Sequence, residues 1–196
     1  MKKLLGIVVL GLFLITPSQA DDISDFQIEG MSIGDSLLNI FSKKEIEKGK
    51  INTYPNSNKF STIKFWEPTF DFEMYDSIGI SFKTNDSNYQ IFGIAGAVFY
   101  DNNIEECYKK KDEIAKELSI LFENAKIENV KDSHPVDKSG KSKIDTIYFD
   151  FKSGDNAKVG CVDYSKEFEK KGREDHLQIS VHQSEYRFFI ANEAYK

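Results

Sequence analysis

The chain has 196 residues, is 40% hydrophobic and 30% charged, and carries a formal charge of −6. An acidic chain without a basic block is a poor partner for nucleic acid or an anionic membrane, both of which are bound by clustered lysine and arginine. The densest positive run, Lys109-Lys110-Lys111, is flanked by Glu105, Glu106, Asp112 and Glu113 and reads as a solvated helix face.

The N-terminus has the grammar of an export leader. Lys2 and Lys3 precede an apolar run from Leu4 to Ile15, and small residues stand at Ser18 and Ala20. This predicts a signal peptide over residues 1–20, cleaved between Ala20 and Asp21. The run is too short for a bilayer core of roughly 30 Å, which takes about 20 apolar residues. Asp21 and Asp22 end it, and no cysteine follows to carry a lipid. A periplasmic or secreted location is expected, with no membrane insertion after cleavage and one domain over residues 21–196.

Two short helices in series are predicted between Ser32 and Gly49. Ser32-x-x-Asp35 and Ser42-x-x-Glu45 are capping boxes, and Phe41 and Ile46 hold the two positions of a hydrophobic staple around the second. Ile51 to Lys59 is polar and turn-rich. Strand alternation follows at Phe70, Phe72 and Met74, and again at Ile78, Ile80 and Phe82, before a turn at 84–88. Tyr89 to Tyr100 is nearly all apolar and reads as a strand buried on both faces. Gly93, Ala95 and Ala97 share one side of it, which would admit a helix closely.

The one long helix comes next. Asn103 is its candidate cap, and Ile104, Cys107, Ile114, Leu118, Leu121 and Ala125 form its apolar stripe. Lys111 falls on that stripe and is expected to snorkel. After a polar loop from Asp132 to Lys143, Ile147, Phe149 and Phe151 lie on one strand and Val159 and Cys161 on the next, joined by a turn at 153–156. A charged connection leads to a strand at His176 to His182 with Leu177, Ile179 and Val181 inward. Ser184 is placed to cap a last helix bearing Tyr186, Phe189, Ile190 and Ala194. Strands that follow strands with few helices between them give an α+β fold: a mainly antiparallel sheet, one long helix packed on it, and short helices at both ends.

Cys107 and Cys161 are the only cysteines, and an even pair in an exported chain predicts a disulfide. That bond would put Cys161 on the sheet face that the long helix covers. No cofactor or metal is expected. His176 and His182 share a strand face but stand about 20 Å apart, and all three histidines, His134 included, are expected to be single and exposed. Asp71, Glu73 and Asp76 read as a solvated strand face. The aromatic stretch from Phe60 to Tyr75, with Trp66 in it, is mostly core.

Gly34-Asp35-Ser36-Leu37 resembles the nucleophile block of the GDSL esterases and lipases, which would make Ser36 a nucleophile. The family's Gly-x-Asn-Asp and Asp-x-x-His blocks have no match here, and a serine without a positioned base is a weak nucleophile. Gly30-Met31-Ser32 resembles the helix entry of small outer-membrane assembly lipoproteins. A longer resemblance runs along most of the chain, through Phe26 to Leu37, Phe82 to Asp86, Glu106 to Lys110, Asp137 to Ser142 and the surroundings of Cys161. On these residues the chain is similar to a group of small exported proteins of marine alphaproteobacteria, to which no activity attaches. It implies export and makes the cysteine pair a group feature. The expected function is a non-enzymatic binding or envelope-associated module, taking a protein or small-molecule partner on the exposed sheet face or in an aromatic groove. The alternatives are a hydrolase using Ser36 and a secreted inhibitor or assembly factor working through protein contacts.

Overall fold

A computed structural model describes residues 23, 26–66, 68–100 and 103–195. The predicted leader and its Ala20–Asp21 junction lie outside the described residues. The fold is α+β, built on one eight-stranded, wholly antiparallel sheet. Its strands are β1 (Lys50–Tyr54), β2 (Ser57–Trp66), β3 (Ser77–Lys83), β4 (Gly93–Phe99), β5 (Lys126–Ser133), β6 (Lys143–Asp150), β7 (Asn156–Asp163) and β8 (His176–His182). The order β1-β2-β3-β4-β8-β7-β6-β5 makes two four-stranded meanders that meet where β4 pairs β8. The helices are α1 (Lys43–Lys48), α2 (Ile104–Leu121), the single turn α3 (Lys166–Glu169) and α4 (Ser184–Asn192).

The register sorts side chains onto two faces. Ile63, Ile80, Ile94, Val181 and Ala157 follow one another across β2, β3, β4, β8 and β7, and all are buried. This is the core face. Over β6, β7 and β8 it is covered by α2, whose Cys107, Ile114, Ala115 and Leu118 are buried. The disulfide joins Cys107 to Cys161 with Cα atoms 6.1 Å apart, on the face expected for it. Over the other meander the cover is irregular: Ile28, Met31, Ile33 and Leu37 from the N-terminal segment, and Phe72 and Tyr75 from the loop before β3.

That irregular cover corrects two expectations. Ser32 to Ser36 is not helical. Gly34 N donates to Ile91 O (2.9 Å), Ile91 N to Asp35 O (2.9 Å) and Leu37 N to Tyr89 O (3.1 Å), so the backbone groups serve a second chain segment instead of an i→i−4 ladder. Half of the first capping box survives as Ser32 N donating to Asp35 Oδ2, and a 3-10 turn at Leu37–Asn39 follows. The second box forms in full at Ser42 and Glu45 and starts α1. Phe70 to Tyr75 is a loop, not a strand. Its Glu73 and Met74 amides donate to the Glu29 carboxylate (3.1 and 2.7 Å), which takes the place of a ladder partner. Conversely, polar β1 and β5 are strands at the two sheet edges, where one strand face and one row of backbone groups meet water and no apolar run is needed.

Lys111 is also corrected. It is 2% exposed and does not snorkel; its Nζ meets Asp145 Oδ1 at 2.5 Å on β6. Asp145 in turn takes Lys131 on Oδ2 at 2.8 Å. Asn103 sits at the α2 N-cap, but its side chain donates to Glu106 and caps no amide. At α4 the cap comes from a distant residue: Asp155 Oδ1 accepts from Ser184 N at 2.7 Å.

Gly96 lies at the centre of β4 on the core face, and a Cβ there would run into the buried Tyr75 ring. Gly96→Ala is expected to destabilise by about 1–3 kcal/mol through overpacking, as a lower urea midpoint with unchanged slope. An unaltered midpoint would mean that the Tyr75 loop yields freely.

Candidate functional site

The second face of the sheet is built differently. Along β4 its residues are Gly93, Ala95 and Ala97, aligned with Ser81, Gly79 and Ser77 on β3 and with His182, Ser180 and Gln178 on β8. Small and polar side chains therefore floor the middle of the sheet. Only one end of this face is roofed. α4 lays Tyr186 and Phe189 on Phe60 and Phe92, a small core of its own, and Gly93 is the glycine that lets Tyr186 approach. The close helix contact expected along Gly93, Ala95 and Ala97 is thus confined to Gly93, and the helix is α4. The long helix lies on the opposite face, where the disulfide holds it. Ala95 and Ala97 open into a cleft.

The cleft has a volume of about 1640 Å³, runs over this face and continues round the Asp76 and Tyr100 ends of β3 and β4 to the first turns of α2. Aromatic rings stand along its rim, among them Tyr54, Trp66, Phe99, Tyr164 and Tyr186. At the α4 end the rim is tied by hydroxyls: Tyr54 and Tyr186 meet at 2.5 Å, and Tyr54 reaches Thr62 at 3.0 Å. Burial and the neighbouring Tyr186 oxygen push the Tyr54 phenol far above its ordinary range. Trp66, the chain's single tryptophan, is 41% exposed at the far side.

Two of the three histidines line this cleft, at its two ends, and the expectation of exposed rings is corrected. All three are partly buried because their strand or loop faces another element. His182 stands 5.4 Å from the Tyr186 ring, and burial, with Lys158 and Arg187 close by, lowers its pKa to about 3. His176 hydrogen-bonds Glu174 O through Nδ1 at 2.9 Å and lies near Phe99 and Tyr164; burial lowers its pKa too. His134 sits against Tyr164 outside the sheet.

Lys158 is the residue that sequence reasoning passed over. It lies in mid-strand on β7, opposite Tyr148 and Ser180, and lines the cleft floor. Burial pushes its ammonium below the usual lysine range, and it has no hydrogen bond or ion pair among the described residues. The alternation Ala157, Val159, Cys161 against Lys158 and Gly160 was the available signal: a lysine in a central strand of an antiparallel sheet faces whatever lies on the non-core side.

The Ser36 hydroxyl is committed elsewhere. It donates to Asn88 O at 2.6 Å and accepts from Leu38 N at 3.2 Å as the cap of the 3-10 turn. The imidazoles occupy the cleft and the Tyr164 cluster, and Ser36 is in neither. Asp71, Glu73 and Asp76 do not converge; Asp76 Oδ2 accepts from Phe99 N at 2.7 Å and ties the loop to β4. Among the described residues no cluster of three or more His, Cys, Asp or Glu is placed to hold a metal ion. Also among them, no helix is long and apolar enough to cross a membrane. No protein-family model, curated protein or solved structure matches this chain.

Proposed function

We propose that this is an exported, disulfide-linked binding protein that takes a small organic ligand in the cleft on the second sheet face. The observation that carries this reading is the cleft itself: a sheet face roofed at one end, floored by small and polar residues and rimmed by aromatic rings. Ring-lined clefts with a few polar groups are the usual form of small-molecule sites. Export rests on the leader grammar of residues 1–20 and on the likeness to exported alphaproteobacterial proteins, and the cysteine bridge is compatible with an oxidising compartment. The commitment of Ser36 Oγ to Asn88 O and Leu38 N supports binding over hydrolysis at that serine.

The test is a titration of the isotope-labelled mature chain with 8-anilinonaphthalene-1-sulfonate, followed by amide and indole NMR shifts. Shifts should gather at Gly79, Ala95, Gln178 and the Trp66 indole. Shifts confined to other surfaces, or none at millimolar probe, would overturn the reading.

A further inference from the structure

The floor of the cleft holds an unbalanced charge. Lys158 projects from the middle of the sheet without a counter-ion, in a chain whose net charge is −6 and whose nearby acids are already engaged. Asp150, one residue pair along β6, holds Arg187 of α4 at 2.9 Å. Asp145 is on the core face with Lys111 and Lys131. What faces Lys158 is Tyr148 on β6, Ser180 and His182 on β8, and beyond them Arg187: hydroxyls, an imidazole and a second cation. Next to it three buried polar atoms lack hydrogen-bond partners among the described residues: Ser180 Oγ directly across on β8, Asn156 Oδ1 two residues back on β7, and Asp150 Oδ1, which Arg187 reaches as an ion pair without a hydrogen bond. Native folds leave few buried polar atoms unpaired, and a partly buried cation without a counter-ion is costlier still. Those oxygens are sealed from the cleft, so Lys158, which lines it, is the group whose cost a bound group would offset.

We infer that Lys158 anchors the acid group of a small organic carboxylate whose body lies against the His182–Tyr186 ring pair. The inference rests on the cleft being a ligand site and names the class of ligand. The ammonium meets the carboxylate in a partly dry setting where a charge-assisted hydrogen bond is strong. Ala95, across β8 from Lys158, carries only a methyl and leaves the room in which the acid sits. Tyr186 and His182 supply an aromatic corner, with ring centroids 5.4 Å apart and planes inclined at 69°.

The test uses a matched pair of probes, 4-phenylbutyrate and neutral 4-phenylbutyramide, with phenyl phosphate as a third arm, on the wild type and on Lys158→Met and Lys158→Arg. The carboxylate should bind at least about tenfold more tightly than the amide, with amide shifts at Lys158, Gln178 and His182. Lys158→Met should erase that preference, and Lys158→Arg should keep part of it. Lys158→Met should also raise the melting temperature of the ligand-free protein, because it removes a partly buried, uncompensated charge, whereas loss of a structural lysine would lower it. Equal binding of acid and amide, an unchanged preference in Lys158→Met, or a lowered melting temperature overturns the inference and leaves the cleft reading standing. Tighter binding of phenyl phosphate than of the carboxylate overturns the carboxylate assignment alone. Failure of all three probes to shift any cleft amide overturns both.

Discussion

Asp145→Asn is expected to cost about 3 kcal/mol of folding stability, the low end of the range for breaking a buried ion pair. The loss follows from what is left behind. Lys111 is 2% exposed in the interface between α2 and the sheet, and with asparagine at 145 its ammonium keeps a neutral amide oxygen and only Asp112, at 3.2 Å, as a counter-charge. Lys111→Met should cost less, because Asp145 would keep Lys131 at 2.8 Å and the methionine would fill the same stripe as Ile114 and Leu118. Replacing both, as Lys111→Met with Asp145→Leu, should recover most of the loss, since a buried pair exchanged for apolar groups of similar volume is often neutral or better. Chemical denaturation of the four proteins closes the cycle. A cost for Asp145→Asn no larger than that of an exposed surface pair would show that water reaches the ammonium.

The same pair sets a direction with pH. Burial works to raise the Asp145 pKa, but the hydrogen bonds from Lys111 and Lys131 outweigh it and hold the carboxyl below its ordinary 3.8. A depressed carboxylate contributes stability that is present above the unfolded value and is lost as pH falls through the folded one. The gap between wild type and Asp145→Asn should therefore be constant near neutrality and narrow only below about pH 4.

How much of this was legible in the sequence varies with the physics of each element. β3, β8 and the β6–β7 hairpin were read because their alternation is imposed by one dry face, and α2 because its stripe is long. β1 and β5 were missed because an edge strand facing water can be mostly polar, as Lys126–Ser133 is apart from Ile127 and Val130. Phe70, Phe72 and Met74 alternate as a strand does, yet Phe70 N donates back to Trp66 O and the Glu73 and Met74 amides donate to Glu29, some forty residues upstream, which no local pattern reveals. Lys111 illustrates the same limit: the stripe placed it at the interface, but its partner lies 34 residues away on β6. The cleft was least legible of all. Its floor is read by aligning Gly79, Ala95, Ser180 and Lys158 across four strands, and that alignment exists only once β4 is known to pair β8 rather than a sequence neighbour. The helix that roofs it could be placed on a face only through Gly93 and Tyr186.

Removing the Cys107–Cys161 bridge should cost about 4 kcal/mol in the chain-entropy account, given a sequence separation of 54 residues. The bridge spans most of the second half of the fold. The residues between the two cysteines include nearly all of α2, then β5, β6 and the first part of β7. Tying α2 to β7 therefore limits the unfolded chain at the one point where a helix must find a non-local sheet. Both cysteines are fully buried, so Cys107→Ala with Cys161→Ala leaves an apolar gap and no unpaired polar group, and the cavity adds only a small further loss. Two readouts separate the entropy account from a packing account. If the bridge acts through the unfolded state, the double variant loses midpoint and gains denaturant slope, because the freed chain exposes more surface. If it acts through native packing, the midpoint falls with the slope unchanged. The core-face packing of Ile114 and Leu118 against the sheet does not depend on the sulfurs, so the double variant is expected to keep its native fold at room temperature with the cleft on the opposite face intact. Loss of the cleft's amide signals in the double variant at a temperature where it is otherwise folded would show instead that the helix on one face sets the shape of the site on the other.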